Sequence, residues 1–334
     1  MQARRALLAA ALAAPWAAPW AAPLARPARA QPADAWPARP IRVVAPYSPG
    51  GQTDTVIRML APKMQEVLGQ PIVVENRTGA GGTIGAGLVA QAAPDGYTLL
   101  IESFSFVVVP LIAKGLAFDY ETAFAPIAQA VSLPYVLVVR RDFPAPHDPA
   151  GFLAEAKRRE ARPITYGTPG IGTPGHLAGA LLANRAGIAL EHVAYSGGQD
   201  AARDLVAGNI DAAISTANTL RPLVEDGRAH GIALTSVERR GSLARLPTFA
   251  ESGFPGFDIT SWNGLFAPAG TPPAIVAKLN AAVRHATGDA EIVRRLALTG
   301  NDAISADSAA FAARIAQDRA TVKRIVAEAG LRFE

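Results

Sequence analysis

Ile41-Arg42-Val43-Val44-Ala45-Pro46-Tyr47-Ser48-Pro49-Gly50-Gly51-Gln52-Thr53-Asp54 is the stretch from which the fold can be read. Ile41 to Ala45 is a short apolar, β-branched run of the length expected for a buried strand, and Pro46 to Gly51 ends it. From Thr53 to Val67 the apolar residues Val56, Met59, Leu60 and Met64 recur at helical spacing, with a break or kink expected near Pro62. Strand, glycine turn and helix make the first half of a βαβ unit. Glycines allow a backbone to approach a ligand closely, and Thr53 or Asp54 can cap the helix. Free N–H groups at such a helix start attract an anion, most simply a carboxylate. The loop alone is equally compatible with an ordinary connection. It is not a nucleotide P-loop, because no Gly-Lys-Ser/Thr follows.

The same order recurs along the chain. Ile72 to Glu75, Tyr97 to Ile101, Val136 to Arg140, Ile164 to Tyr166, Glu191 to Ala194 and Ala212 to Ser215 read as strands with helical patterns between them. Thr83 to Ala92 is one such helix, and Ser308 to Ala329 is a long amphipathic one with Phe311, Ile315, Val322 and Val326 on one side. Repeated βαβ order predicts an α/β fold with mainly parallel sheets covered by helices. Of the 334 residues, 50% are apolar, enough for two cores.

The N-terminus reads as a leader. Arg4 and Arg5 precede an Ala/Leu/Pro/Trp-rich run from Ala6 to Ala25, and Ala28-Arg29-Ala30 offers a small-x-small cleavage site before Gln31. That is the order of a secretory signal peptide over residues 1–30. Pro15, Pro19 and Pro23 make the alternative, a permanent membrane anchor, a poor fit. The chain carries 32 basic and 28 acidic side chains, and the leader holds four arginines and no acid, so the remainder is neutral. A neutral body argues against nucleic acid or an anionic membrane as partner. With no cysteine there is no disulfide, thiol nucleophile or cysteine-bound metal, a composition that suits a bacterial envelope. No cofactor is expected.

Two later loops repeat the design of the first. In Tyr166-Gly167-Thr168-Pro169-Gly170-Ile171-Gly172-Thr173-Pro174-Gly175-His176, Thr173 is placed to cap a helix with Pro174 at its first position. Gly170, Gly172 and Gly175 also spell a dinucleotide fingerprint, but mid-chain and without the acid that should end the next strand. Val193-Ala194-Tyr195-Ser196-Gly197-Gly198 resembles a hydrolase nucleophile elbow, for which Asp258 and His285 are the available partners. The five histidines show no metal-ligand spacing. Anion-ready loops without a supported nucleophile favour binding over catalysis.

From Ile41 to Gly330 the chain resembles the Bug or TctC-like extracytoplasmic receptors of tripartite tricarboxylate transporters. The resemblance is carried by Tyr47-Ser48-Pro49-Gly50-Gly51 with Asp54 and Arg58, Glu75-Asn76-Arg77 before Gly79-Ala80-Gly81-Gly82, and Asp95-Gly96-Tyr97-Thr98-Leu99. It continues through Tyr166 to Gly170, Gly172, Thr173, His176-Leu177, Tyr195, Gly197-Gly198, Gly208, Asp211, Trp262, Gly264 and Pro268 to Pro272. The resemblance implies a type II periplasmic binding protein: two lobes of mixed sheet with flanking helices and two hinge crossings, near Pro134 to Val139 and near Ser261 to Phe266. Lobe 1 would comprise residues 36–136 plus 264–334, and lobe 2 residues 137–263. It also implies a monomeric periplasmic receptor that takes a small carboxylate (a di- or tricarboxylate, acidic amino acid or aromatic acid) and presents it to membrane transporter subunits. The ligand residues it implies are Tyr47, Ser48, Gly50, Gly51, Thr53, Asp54, Ser103, Thr168, Gly170, Ile171, Gly172, Thr173, Tyr195 and Asp211. An exported serine hydrolase built on Ser196, or the binding component of a sensory system, are the alternatives.

Three departures from the family pattern fall where the cleft is expected. They are Ser48, the segment Glu102 to Val109, which lacks an asparagine before Pro110, and Ser215-Thr216.

Overall fold

The computed structural model describes residues 36–113 and 115–328, so the expected leader lies outside the described residues. β1 (Ile41–Ala45) is apolar throughout because both of its faces are covered, with Ile41, Val43, Val44 and Ala45 fully buried. α1 (Gln52–Leu68) buries Val56, Ile57, Leu60, Met64 and Leu68. It runs unbroken through Pro62, so the expected break does not occur. Pro62 sits on the exposed face, where water can take the carbonyl that its missing N–H leaves free.

The first sheet runs in the order β11 (Asp302–Ala303), β4 (Phe124–Leu133), β10 (Ser261–Pro268), β3 (Thr98–Ser103), β1 and β2 (Ile72–Asn76). The second runs β7 (Leu190–Ala194), β6 (Ile164–Thr168), β8 (Ala212–Thr216), β5 (Tyr135–Arg140) and β9 (Ala229–Leu234). The βαβ units give the parallel pairs β1–β2, β1–β3, β6–β7 and β6–β8. Both sheets are nevertheless mixed. β10 lies antiparallel to β3 and β4, and β5 lies antiparallel to β8 and β9. These are the strands with which the chain enters each sheet from the other, so they arrive without a crossover helix to set a parallel direction.

The chain passes from the first sheet to the second between Leu133 and Tyr135 and returns between Leu234 and Ser261. Both of the segments expected to cross are thus largely strand: Val136–Val139 lies in β5, and Ser261–Phe266 lies in β10. α2 (Thr83–Ala90), α3 (Ser105–Ile112), α8 (Pro273–Gly288) and α9 (Ala290–Leu298) belong with the first sheet. α4 (Pro149–Arg158), α5 (Pro174–Ala186), α6 (Gly198–Ala207) and α7 (Ala217–Glu225) belong with the second.

α10 (Ser308–Glu328) packs on β4, α3 and α8 and also on α5, so it touches both halves. Its Phe311, Ile315, Val322 and Ile325 are buried in one apolar cluster with Phe104 and Phe266 from the first sheet's side and Tyr166 and Leu177 from the second's. Burying each such side chain contributes about 1.5–3 kcal/mol, so this cluster holds the two halves together where α10 spans them.

Candidate functional site

The loops that follow β1, β3, β6 and β8 all open toward one cleft of about 430 Å³ between the two sheets. One wall is formed by Tyr47, Gln52, Ser103, Ser105 and neighbouring residues. The other is formed by Tyr135, Ile171, Gly172, Thr173 and Thr216. Among the described residues, no lysine, arginine, histidine, aspartate or glutamate lines it.

Its polarity comes instead from hydroxyl and amide side chains and from helix ends. α1, α3 and α5 all start at the cleft; among the described residues no side chain caps α1 or α5, whereas the first N–H of α3, that of Ser105, donates to the Ser103 hydroxyl at 3.3 Å. α1 has Gly51 as its N-cap, so neither Thr53 nor Asp54 caps it as expected. α5 does begin at Thr173 and Pro174, but Thr173 turns its hydroxyl away from the helix and donates to the Gly170 carbonyl at 2.8 Å. Uncapped first turns leave N–H groups and the positive end of the helix dipole facing the cavity. Such ends are suited to an anion. α7 differs, because Thr216 accepts from the Thr219 N–H.

The expected ligand residues divide into three groups. Tyr47, Ser103, Ile171, Gly172 and Thr173 line the cleft. The second group shapes the loops. Asp54 is buried and accepts from the Gly50 N–H at 2.9 Å, from Arg58 at 2.9 Å and from Asn76 at 3.0 Å, which ties the first loop to α1 and β2. Gly51 donates to the Ser48 carbonyl at 3.0 Å, Ser48 is exposed to solvent, and Thr53 is buried inside the first turn. Thr168 is buried, with its hydroxyl 2.7 Å from His192 Nε2 and bonded to the Gly170 loop. Gly170, at a φ of 143°, gives that loop a conformation that side-chain-bearing residues rarely adopt.

The third group is elsewhere. Asp211 lies at the opposite end of the second sheet, held by Arg159 at 2.8 Å, Arg140 at 3.3 Å and the Thr165 N–H at 3.2 Å. It precedes β8 rather than following it, and the cleft lies beyond the strands' other ends. Tyr195 follows β7 but donates its hydroxyl to Asp204 of α6 at 2.7 Å, beside a separate surface hollow.

The Gly172 N–H, expected to face a ligand, donates to His176 Nδ1 at 3.1 Å. Burial, helped by the neighbouring His192, lowers the His176 pKa to about 4. At neutral pH the ring therefore keeps the lone pair that the bond requires.

Residues that sequence reasoning did not single out complete the cleft. Gln52 donates to Asn263 at 3.2 Å and to Asn301 at 2.5 Å. Ser105, Tyr135 and Ser261 also line it. Of the family departures, Thr216 and the Phe104 to Val109 segment reach the cleft and Ser48 does not. The hydrolase partners are not assembled. Ser196 is exposed, His285 pairs with Glu66 at 3.0 Å, and Asp258 pairs with Arg314 at 3.0 Å.

Two mixed sheets with flanking helices, a double passage between them and an uncharged cleft define a two-lobed periplasmic binding-protein fold. The model of the TctC family, described as the tripartite tricarboxylate transporter family receptor, matches residues 56–331, and the chain belongs to that family. It is a family of solute-binding receptors, not of enzymes.

A Pseudomonas sp. strain P51 protein encoded in the tcbD–tcbE intergenic region is 40% identical over 273 residues, covering 81% of each chain. BugT of Bordetella pertussis is 33% identical over 270 residues, covering 80% of this chain and 82% of BugT. Among solved structures, the periplasmic binding protein BugD superposes with a TM-score of 0.70 at 33% identity, covering 89% of this chain and 99% of BugD. A Rhodopseudomonas palustris protein solved with adipate gives 0.73 at 31%, covering 88% and 98%. The same organism's MatC, solved with malate, gives 0.69 at 32%, covering 87% and 100%.

Proposed function

We propose that this chain is an exported receptor that captures a small dicarboxylate between its lobes and delivers it to a tripartite tricarboxylate-type membrane transporter. The carrying observation is the cleft itself, into which the uncapped starts of α1 and α5 open from opposite sides, with no charged side chain among the described residues that line it. Hydrogen bonds to a charged group contribute about 1.5–3 kcal/mol each, so a few of them suffice for micromolar binding without an ion pair. A volume of about 430 Å³ suits a ligand of this size. The adipate- and malate-bound relatives support the dicarboxylate class. In this reading the lobes divide at Pro134 and within 235–260, and the leader of residues 1–30 directs export.

The test is calorimetry and thermal shift of the mature chain, beginning at Gln31, with adipate, malate, citrate, glutamate and benzoate. Micromolar binding of at least one dicarboxylate, with a raised melting temperature, is expected. Binding of none, or equal binding of an uncharged diamide analogue, overturns the reading.

A further inference from the structure

Glu102 is fully buried at the end of β3, directly behind the cleft wall. Its Oε1 lies 2.7 Å from the Tyr47 hydroxyl, and its Oε2 accepts the Ser103 N–H at 2.9 Å. The Tyr47 ring lines the cleft and is fenced by Gly82, where a Cβ would lie 3.1 Å from the phenol oxygen. Ser103 and Ser105 also line the cleft, their hydroxyls 3.1 Å apart.

We propose that Glu102 is a positioning residue that sets the direction of the Tyr47 hydroxyl hydrogen, and so decides whether this wall offers a ligand carboxylate a donor or only an acceptor. The proposal rests on the carboxylate reading above.

With Glu102 ionised, both of its oxygens can only accept. The Tyr47 hydrogen then points into the protein, and the phenol oxygen is left as an acceptor only, shared by the Ser103 and Ser105 hydroxyls and the cleft. With Glu102 neutral, its own proton sits on Oε1 and donates to the Tyr47 oxygen, while Oε2 keeps the Ser103 N–H. The Tyr47 O–H is then free to donate to the anion. Ionisation would also bring a second negative charge behind the ligand.

The surroundings favour the neutral form. Burial raises the Glu102 pKa to about 8, against the hydrogen bonds from Tyr47 and Ser103 that lower it. Gly264 of β10 stands opposite it, α2 carries no titratable residue, and α3 contributes Ser105. The titratable neighbours are the phenols Tyr47 and Tyr120, whose own pKa values are raised by burial first and by the Glu102 charge second. No cation among the described residues contributes to the Glu102 shift.

Calorimetry with adipate and malate from about pH 6.5 to 9.5, where both ligand carboxylates are ionised, tests this. Wild-type affinity should hold to about pH 7.5 and weaken roughly tenfold by about pH 9.5, the equivalent of one lost donor. Glu102→Gln, whose amide donates permanently to the Tyr47 oxygen, should bind equally well at both ends of the range. Tyr47→Phe should bind roughly tenfold more weakly at low pH and lose the pH slope. A flat wild-type profile, or a Glu102→Gln profile with the wild-type slope, overturns the role of Glu102 while leaving the carboxylate reading intact. Failure of the wild type to bind either acid at about pH 6.5 overturns both. If Glu102→Gln does not fold, the wild-type and Tyr47→Phe profiles decide the matter.

Discussion

The Asp54 carboxylate gathers the Gly50 N–H, the Arg58 guanidinium and the Asn76 amide, and Asn76 also donates to the Tyr47 carbonyl at 3.0 Å. Removing it releases the loop that carries Tyr47 and aims the first turn of α1. Asp54→Ala should cost about 1–3 kcal/mol in urea unfolding and also weaken dicarboxylate binding. Arg58→Ala should cost less than about 1 kcal/mol, because Arg58 is half exposed and Asn76 still holds Asp54. Equal losses would contradict this ranking. Burial opposes ionisation of Asp54, but the bonds from Arg58, Gly50 and Asn76 outweigh it and lower its pKa. Its ionised form therefore stabilises the fold, fully above the ordinary aspartate value of about 4 and progressively less as pH falls through the lowered one. Glu102 has the opposite sign: its stabilising neutral form is complete below about pH 4.5 and lost as pH rises toward about 8. Glu102→Gln should flatten the alkaline limb of melting temperature against pH, and Asp54→Asn the acid limb. The family resemblance implied Asp54 and Tyr47 alike as ligand residues, whereas the structure puts Tyr47 on the cleft wall and makes Asp54 the brace of its loop. A carboxylate at the third position of a helix caps, braces or binds according to where the preceding loop turns, and local sequence does not encode that.

At the level of elements, the helix start at Thr173-Pro174 was readable because proline presets the backbone of the first helical position, whereas α1 starts at Gln52, ahead of the expected Thr53 or Asp54 cap. β4, β9 and the full course of β10 were not readable. β4 carries Pro126, Gln129 and Ser132, and it becomes a strand because β10 and β11 flank it across long sequence separations. The error has a consequence for Trp262. Expected in a moving crossing, it lies inside β10 with no exposure, its indole N–H on Asp318 of α10 at 2.8 Å and Phe104, Phe266 and Phe311 around it. Trp36 is buried against Tyr97 on the same lobe. Saturating dicarboxylate should therefore leave the tryptophan emission maximum of the mature chain unchanged, and a clear shift would mean that β10 itself moves. Asp318 is held in turn by Arg314, which also reaches Asp258 at 3.0 Å and Thr260 at 2.9 Å in the return passage between the sheets. Arg314→Ala strands two carboxylates, one of them buried, and should cost about 3 kcal/mol in chemical unfolding. Arg314→Lys should recover only part, since an ammonium cannot span the same partners.

For the whole molecule, a ligand held as proposed, in the cleft between two sheets joined by two passages, would have an affinity that depends on how closely the walls can approach. Gly300, between α9 and β11 on the first lobe, lies against Asn218 of α7 on the second. A Cβ at Gly300 would collide with the Asn218 Cβ. This contact adjoins the site on both sides: Asn301 holds Gln52, and Thr216, two residues before Asn218, lines the cleft. Gly300→Ala should therefore prop the rim apart. Dicarboxylate affinity should fall by roughly tenfold, about 1.4 kcal/mol of closure. Solution scattering of the ligand-saturated variant should give a larger radius of gyration than the ligand-saturated wild type. Gly300 also has a φ of 75°, so alanine there strains the backbone by about 1–2 kcal/mol irrespective of closure. The two effects separate in the double variant. Asn218→Gly removes the colliding Cβ, so it should restore affinity and compaction while leaving the ligand-free melting temperature as low as in Gly300→Ala. Restoration of neither would assign the loss to backbone strain, and the rim contact would then have no part in closure.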